Sequence, residues 1–186
     1  MHHSEEKDLV IRCLKNDLIA QNKLYKAYSR KMYAVCWRFA RVGAEADDIL
    51  QEGFIKVFTK LSSFRHEGSL EGWIRRIIVN TALTYIKKHS EYKQEVDIEN
   101  IGSCEIIEDD AIANLSKEDI LKLVKELPDG KRMIFNLYVY EGYSHKEIAE
   151  MLNINEGTSK GQLSKAKQML KDKLEKISTK LYERVY

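Results

Sequence analysis

Residues 143–170 read YSHKEIAEMLNINEGTSKGQLSKAKQML. Ser144 and Glu147 stand at the S-x-x-E spacing of a capping box, which predicts a short helix from there through Leu152. Ile148, Ala149 and Leu152 share one side of that helix. Asn153-Ile154-Asn155 then turns the chain, and a last helix is expected from Glu156 toward Leu181, burying Leu163, Ala166 and Leu170. Small Ala149 permits a close crossing of the two helices, and Ile154 can seal the turn. This is the grammar of a helix-turn-helix, whose second helix would lie in a DNA major groove with its first residues toward base edges. Thr158, Ser159 and Gln162 are expected to face outward as hydrogen-bonding groups, with Lys160, Lys165 and Lys167 able to neutralise phosphates. From Gly157 to Lys180 the chain holds seven lysines and two acids. A lysine-rich helix face alone is usually a solvated surface; with the capped short helix and the Asn turn, it points to DNA. Gly161 costs about 1 kcal/mol in a helix relative to Ala. It either admits a close backbone approach or is simply tolerated.

Outward from this motif the chain stays helical. Ser116 to Asp119 resembles a capping box opening a helix that stops before Pro128. Another is expected from Asp129 to Tyr140, with Met133, Ile134, Leu137 and Tyr138 facing inward and Gly142 after it. Toward the N-terminus, Asp17 can cap a long helix carrying Leu24, Tyr28, Met32, Val35 and Phe39, ended by Gly43. A helix from Asp47 carries Ile49, Phe54, Val57 and Leu61, broken at Ser62-Ser63. A third starts near Ser69 and carries Leu70, Ile74, Ile77, Ile78 and Ile86. These stripes predict one small bundle. Residues 93–114 lose the helical period. The expected fold is therefore all-α, with two small helical domains (1–92 and 115–186) joined by a flexible acidic linker (93–114), anchored at most by Ile106-Ile107.

The net charge of +2 conceals a pattern. Residues 1–90 hold 16 basic and 10 acidic side chains, residues 91–112 one against eight, and residues 113–186 14 against 11. Two mildly basic blocks flank an acidic connector. Cys13, Cys36 and Cys104 are widely spaced and no Cys/His pair has metal-ligand spacing, so thiols without a metal are expected. No signal core or membrane-length apolar run is seen, and a cytoplasmic location is expected. No phosphate-binding glycine loop or nucleophile constellation is present, so no catalytic site and no cofactor are expected.

Two N-terminal segments exceed what packing needs. The first is Glu45-Ala46-Asp47-Asp48-Ile49-Leu50-Gln51-Glu52-Gly53-Phe54-Ile55-Lys56-Val57-Phe58. Asp48 and Glu52 share one helix face beside apolar residues. Acid–base chemistry would need a pocket and partners that the sequence does not supply, so a protein-docking surface is the better reading. The second runs from Phe64 to Lys88 and mixes cations with aromatics: Phe64, Arg65, Trp73, Arg75, Arg76, Asn80, Tyr85, Lys87 and Lys88. Such mixtures bind single-stranded nucleic acid, cations tracking phosphate and aromatic faces holding unstacked bases. Trp73 itself reads as a core anchor.

With these two segments, Leu127-Pro128 through Arg132 to Ile134-Phe135, and Glu156 to Lys167, the chain resembles a bacterial RNA polymerase sigma factor over nearly its full length. It is similar to the extracytoplasmic-function (ECF) group of the sigma-70 family, which keeps only the second and fourth sigma domains. The resemblance implies that Asp47, Asp48, Gln51, Glu52, Phe54 and Val57 dock on the β′ clamp helices of core polymerase. It implies that Phe64, Arg65, Trp73, Arg75, Arg76, Asn80, Lys87 and Lys88 capture the opened −10 element. The C-terminal domain would bind the β flap and read the −35 element with Thr158, Ser159, Lys160, Gln162, Ser164, Lys165 and Lys167. The linker would pass toward the RNA exit path. Many relatives are held by an anti-sigma factor, though no residue here identifies one. Lys165 and Lys167 stand where the family usually has arginines, which favours phosphate contact over forked base reading. The competing reading, a stand-alone helix-turn-helix regulator, predicts dimerisation and a palindromic site, and no dimer-forming heptad is present.

Overall fold

Asp17 starts the first long helix as its sequence predicts: its carboxylate accepts from the backbone amides of Ile19 and Ala20 at 2.9 and 3.1 Å. Two of the four amides orphaned at a helix start are thereby satisfied. The structure is a computed structural model that describes residues 3–89 and 117–185. Among these the regular structure is helical, with no strand. They fall into two compact units on either side of the Tyr92–Lys93 boundary. The acidic linker, Ile106-Ile107 and the Ser116 cap lie outside the described residues.

The first unit contains α1 (His3–Leu14), α2 (Leu18–Phe39), α3 (Gly43–Lys60) and α4 (Leu70–His89). Helix α1 is not expected from the sequence, because HSEEKD opens it with few apolar residues. It packs through Leu9, Val10 and Cys13, all buried, and the Tyr28 hydroxyl donates to Glu6 across the α1–α2 seam at 3.2 Å. Gly43 does not end α2. That helix stops at Phe39, and Gly43 is the first residue of α3, four positions before the expected start at Asp47. The backbone amide of Arg41, just beyond α2, donates to Glu45 at 2.7 Å, which ties the connection to the first turn of α3. The core is built mainly from apolar side chains: Leu24, Met32, Phe39, Ile49, Val57, Leu70, Ile74 and Ile78 are each 0% exposed. Burial of this kind contributes about 1.5–3 kcal/mol per large side chain, offset by conformational entropy.

The second unit contains α5 (Lys117–Lys125), α6 (Asp129–Phe135), α7 (His145–Leu152) and α8 (Glu156–Val185). A π-helical turn, Asn136–Tyr140, extends α6, with the amide of Glu141 donating to Asn136 O at 3.0 Å. Its wider turn shifts the helical phase. Leu137 stays fully buried while Tyr138, expected to face inward, is rotated out to 39% exposure. Buried Arg132 clamps the α5–α6 elbow, donating to Leu127 O at 3.1 Å and to Asp129 at 2.7 Å. Val124, Leu127, Met133, Leu137, Ile148, Leu163 and Ala166 form the core of this unit.

Candidate protein-docking and nucleic-acid interfaces

Helix α3 puts Asp47, Asp48 and Gln51 on the surface and leaves Glu52 partly exposed. The stripe Asp48-Gln51-Glu52 continues at i+7 to Ile55, an apolar side chain that is 64% exposed. Ile55 lies outside the expected docking set, although its spacing from Asp48 puts it on the same helix face. Glu52 is held by Lys56 at 2.6 Å, and Asp48 accepts from the Tyr85 hydroxyl of α4 at 3.2 Å. Phe54 and Val57 are corrections to the expected docking set. At 3% and 0% exposure they face the bundle core, so they hold α3 in place and offer nothing to a partner. Phe54 packs edge-on against Tyr25 of α2, ring centroids 4.7 Å apart.

Helix α4 carries the second surface. Arg76, Asn80, Thr84, Lys87 and Lys88 are exposed at three- and four-residue spacing, a basic and polar stripe along the helix. Arg75 is partly covered at the shoulder of that stripe. The approach to α4 is a tight loop in which His66 and Gly68 take positive φ values of 59° and 129°. Ser69 caps the helix, its hydroxyl accepting from the Gly72 amide at 3.0 Å. Phe64, expected among the −10 contacts, is buried at 8% exposure beneath this loop. It packs between His66 and Trp73, with centroids at 4.6 and 5.5 Å, and so presents exposed Arg65 and His66 from below. Trp73 is half-buried, in keeping with an anchor.

In the second unit the short helix, turn and long helix follow the sequence reading closely. Ser144 and Glu147 form the full capping box. Asn153 closes α7 in the left-handed region at φ 57°, a conformation that Asn tolerates better than most residues. The Ile154 amide returns to Ala149 O at 3.0 Å, and Asn155 caps α8 by accepting from the Thr158 amide at 2.6 Å. Lys160 and Lys167 are exposed on α8, with Lys160 paired to Glu156 at 2.7 Å, while Ser164 and Lys171 are only partly exposed. Thr158, Gln162 and Lys165 are partly covered.

Ser159 overturns an expectation. It is 0% exposed and cannot meet a base. Its hydroxyl lies 2.9 Å from Nδ1 of His145, the first residue of α7. His145 is stacked on Tyr138, centroids 4.6 Å apart. Burial first, then the positive charges of Lys160 and Lys167, hold the imidazole below its ordinary value, while Glu156 opposes them. His145 had no place among the expected site residues.

Residues 24–92 match the family model for sigma-70 region 2, and residues 117–170 match that for sigma-70 region 4. The chain is 28% identical over 180 residues to the ECF RNA polymerase sigma-E factors of Escherichia coli K12 and Salmonella typhimurium, spanning 91% of this chain and 94% of each relative. The chain belongs to the ECF group of the sigma-70 family. The Haemophilus influenzae sigma-E factor is 26% identical over 183 residues, with 92% of this chain and 96% of the relative covered. Two solved structures share the fold. One is RpoE of Bartonella quintana, in complex with the anti-sigma factor NepR, at a TM-score of 0.54 and 22% identity, covering 84% of this chain and 96% of that one. The other is CnrH, in complex with the cytosolic domain of CnrY, at 0.51 and 17%, covering 90% and 95%. The two sigma regions fall on the two compact units, so the α3 and α4 surfaces belong to region 2 and the helix-turn-helix to region 4. Among the described residues no helix is long and apolar enough to cross a membrane.

Proposed function

We propose that this sigma factor divides promoter recognition between its two units in the cytoplasm, each weak alone and joined through core RNA polymerase. Residues 1–92 act as the second sigma domain and residues 115–186 as the fourth, with 93–114 as the connection. The function is promoter-directed initiation of transcription, and the chemistry belongs to the polymerase. The observation that carries this reading is the pair of outward stripes in the first unit, acidic with an apolar end on α3 and basic-polar on α4. They suit two different partners. Asp47, Asp48, Gln51, Glu52 and Ile55 dock on the β′ clamp helices. Arg65, Arg75, Arg76, Asn80, Lys87 and Lys88 hold the opened −10 strand, with Trp73 and Phe64 supporting them from within.

In the second unit, α8 reads the −35 element through Thr158, Lys160, Gln162, Ser164, Lys165 and Lys167, and the unit binds the β flap. Linking two modest DNA contacts through one polymerase raises the effective concentration of each at the promoter. The free chain therefore binds duplex weakly. The match of residues 24–92 to region 2 favours this reading over a stand-alone helix-turn-helix regulator. An anti-sigma factor belongs to the same proposal, by analogy with the Bartonella protein's complex. The test is charge reversal at both α3 carboxylates. Asp48→Lys with Glu52→Lys is expected to abolish capture of core polymerase and run-off transcription while the circular dichroism of the chain is kept; capture undiminished in the folded variant would remove the docking assignment.

A further inference from the structure

Ser159 sits in the first turn of the DNA-reading helix, yet it points away from any DNA. Its hydroxyl is fully buried and is met at 2.9 Å by a ring nitrogen from the helix it crosses. An apolar pair at this crossing would be indifferent to the rotation of one helix against the other. A hydrogen bond is directional, and a buried hydroxyl that loses its partner is penalised. The imidazole is itself fixed, because Tyr138 of the π-helical turn covers one ring face. Three elements thus meet at one side chain: the end of α6, the first residue of α7 and the first turn of α8.

We propose that His145 is a positioning residue for DNA reading, fixing through Ser159 the rotation at which Thr158 and Lys160 meet the duplex. The two residues flank Ser159 in sequence, so a slip of the His145–Ser159 contact turns both. The inference rests on the proposed placement of α8 at the −35 element and goes beyond it in naming what holds the helix in register.

The same contact couples reading to protons. The groups facing the imidazole are Lys160 and Lys167, which disfavour its protonation, and Glu156, which favours it; Ser159 occupies Nδ1 and Tyr138 covers a face. The first helix of a helix-turn-helix crosses the DNA backbone, so duplex phosphates offset the two lysines when bound. His145 then accepts a proton more readily on DNA than off it, and binding strengthens as pH falls.

The experiment uses holoenzyme assembled from core polymerase and the full chain. Run-off transcription is measured on a promoter with its −35 element intact and scrambled, and the ratio is followed from about pH 8 to about pH 6, across the ordinary imidazole range. His145→Ala and Ser159→Ala are each expected to lower that ratio roughly three- to tenfold, the loss of one well-placed hydrogen bond. The double variant should be no worse than either single. His145→Asn, which keeps a polar atom near the Nδ1 position, should retain most of the ratio near neutrality and lose its rise toward low pH.

Additive losses, an Asn variant as poor as Ala, or an unchanged pH slope in the Asn variant would each overturn the proposal. Lys160→Glu separates the two layers. If it lowers −35 dependence while His145→Ala and Ser159→Ala are silent, only the positioning role fails. If Lys160→Glu is itself silent, the placement of α8 fails and the positioning role with it. Should His145→Ala unfold the second unit, Ser159→Ala and His145→Asn still decide.

Discussion

Gly53 lies in mid-α3 with its face against α4, and replacing it by Ala sets two effects of known size against each other. A Cβ built there would overlap Cδ1 of Ile78, whereas the next atoms, Ile78 Cγ1 and Cα, stand at 3.6 and 3.8 Å, ordinary contact distances. One methyl carries the whole conflict. Ala in place of Gly stabilises a helix interior by about 1 kcal/mol. Ile78 is 0% exposed, so moving its terminal methyl disturbs a filled core, and overpacking of that kind costs roughly 1–3 kcal/mol. Gly53→Ala alone should therefore destabilise the first unit by roughly 0–2 kcal/mol. Ile78→Val removes the offending methyl and leaves a small void, for about 0.5–1.5 kcal/mol. In the double variant the new Cβ occupies the vacated space and the helix gain is kept. The pair should then be at least as stable as Ile78→Val alone, with a favourable coupling of about 1–3 kcal/mol. Both tryptophans, Trp37 and Trp73, lie in this unit, so their fluorescence during urea unfolding of the full chain reports on it selectively. Additivity of the two changes within about 0.5 kcal/mol would refute the close approach of α3 to α4 at this point.

Gly161 offers a cleaner contrast, since a Cβ there meets nothing within 4 Å. Gly161→Ala should stabilise the second unit by about 1 kcal/mol in a thermal melt; if it also lowers −35-dependent transcription, the missing side chain serves a close approach to DNA. Stability of the second unit should fall with acid. The His145 value is lowered on folding, so its contribution is fully present above its ordinary value of 6.5 and is lost as pH falls through the folded value. Circular dichroism melts should show this decline flattened in His145→Asn. Arg132→Met removes the hydrogen bonds that Arg132 donates to Leu127 O and Asp129 at the α5–α6 elbow, which should cost about 1–3 kcal/mol in chemical unfolding, and Arg132→Lys should not restore it because Lys lacks the forked geometry.

Much of the site was legible because its signals are local. The capping box at Ser144, the turn at Asn153-Ile154-Asn155 and the outward Lys160 and Lys167 of α8 are properties of residues within about one helical turn of one another. Helix α1 leaves little signal in the sequence because its apolar set is small and its opening residues are charged. The boundary between α2 and α3 is not legible at Gly43, since glycine more often follows a helix than begins one, and the Glu45 contact with the Arg41 amide lies across the connection.

Amino-acid order alone determined the helical class, the two blocks, the acidic stretch between them and the residue types on each outward stripe. Periodicity assigns every side chain an angle about its own helix axis, and that angle follows from sequence spacing. It does not say which other helix covers the shoulder of the stripe. Only the tertiary structure decided that Phe54, Val57 and Phe64 lie buried beneath the outward stripes, and that Ile55 is exposed on one of them. Likewise the π-helical turn rotated Tyr138 outward onto His145, and the α7–α8 crossing drew Ser159 inward to the same ring. These outcomes depend on where separate helices meet, a long-range property of packing that no single helix encodes.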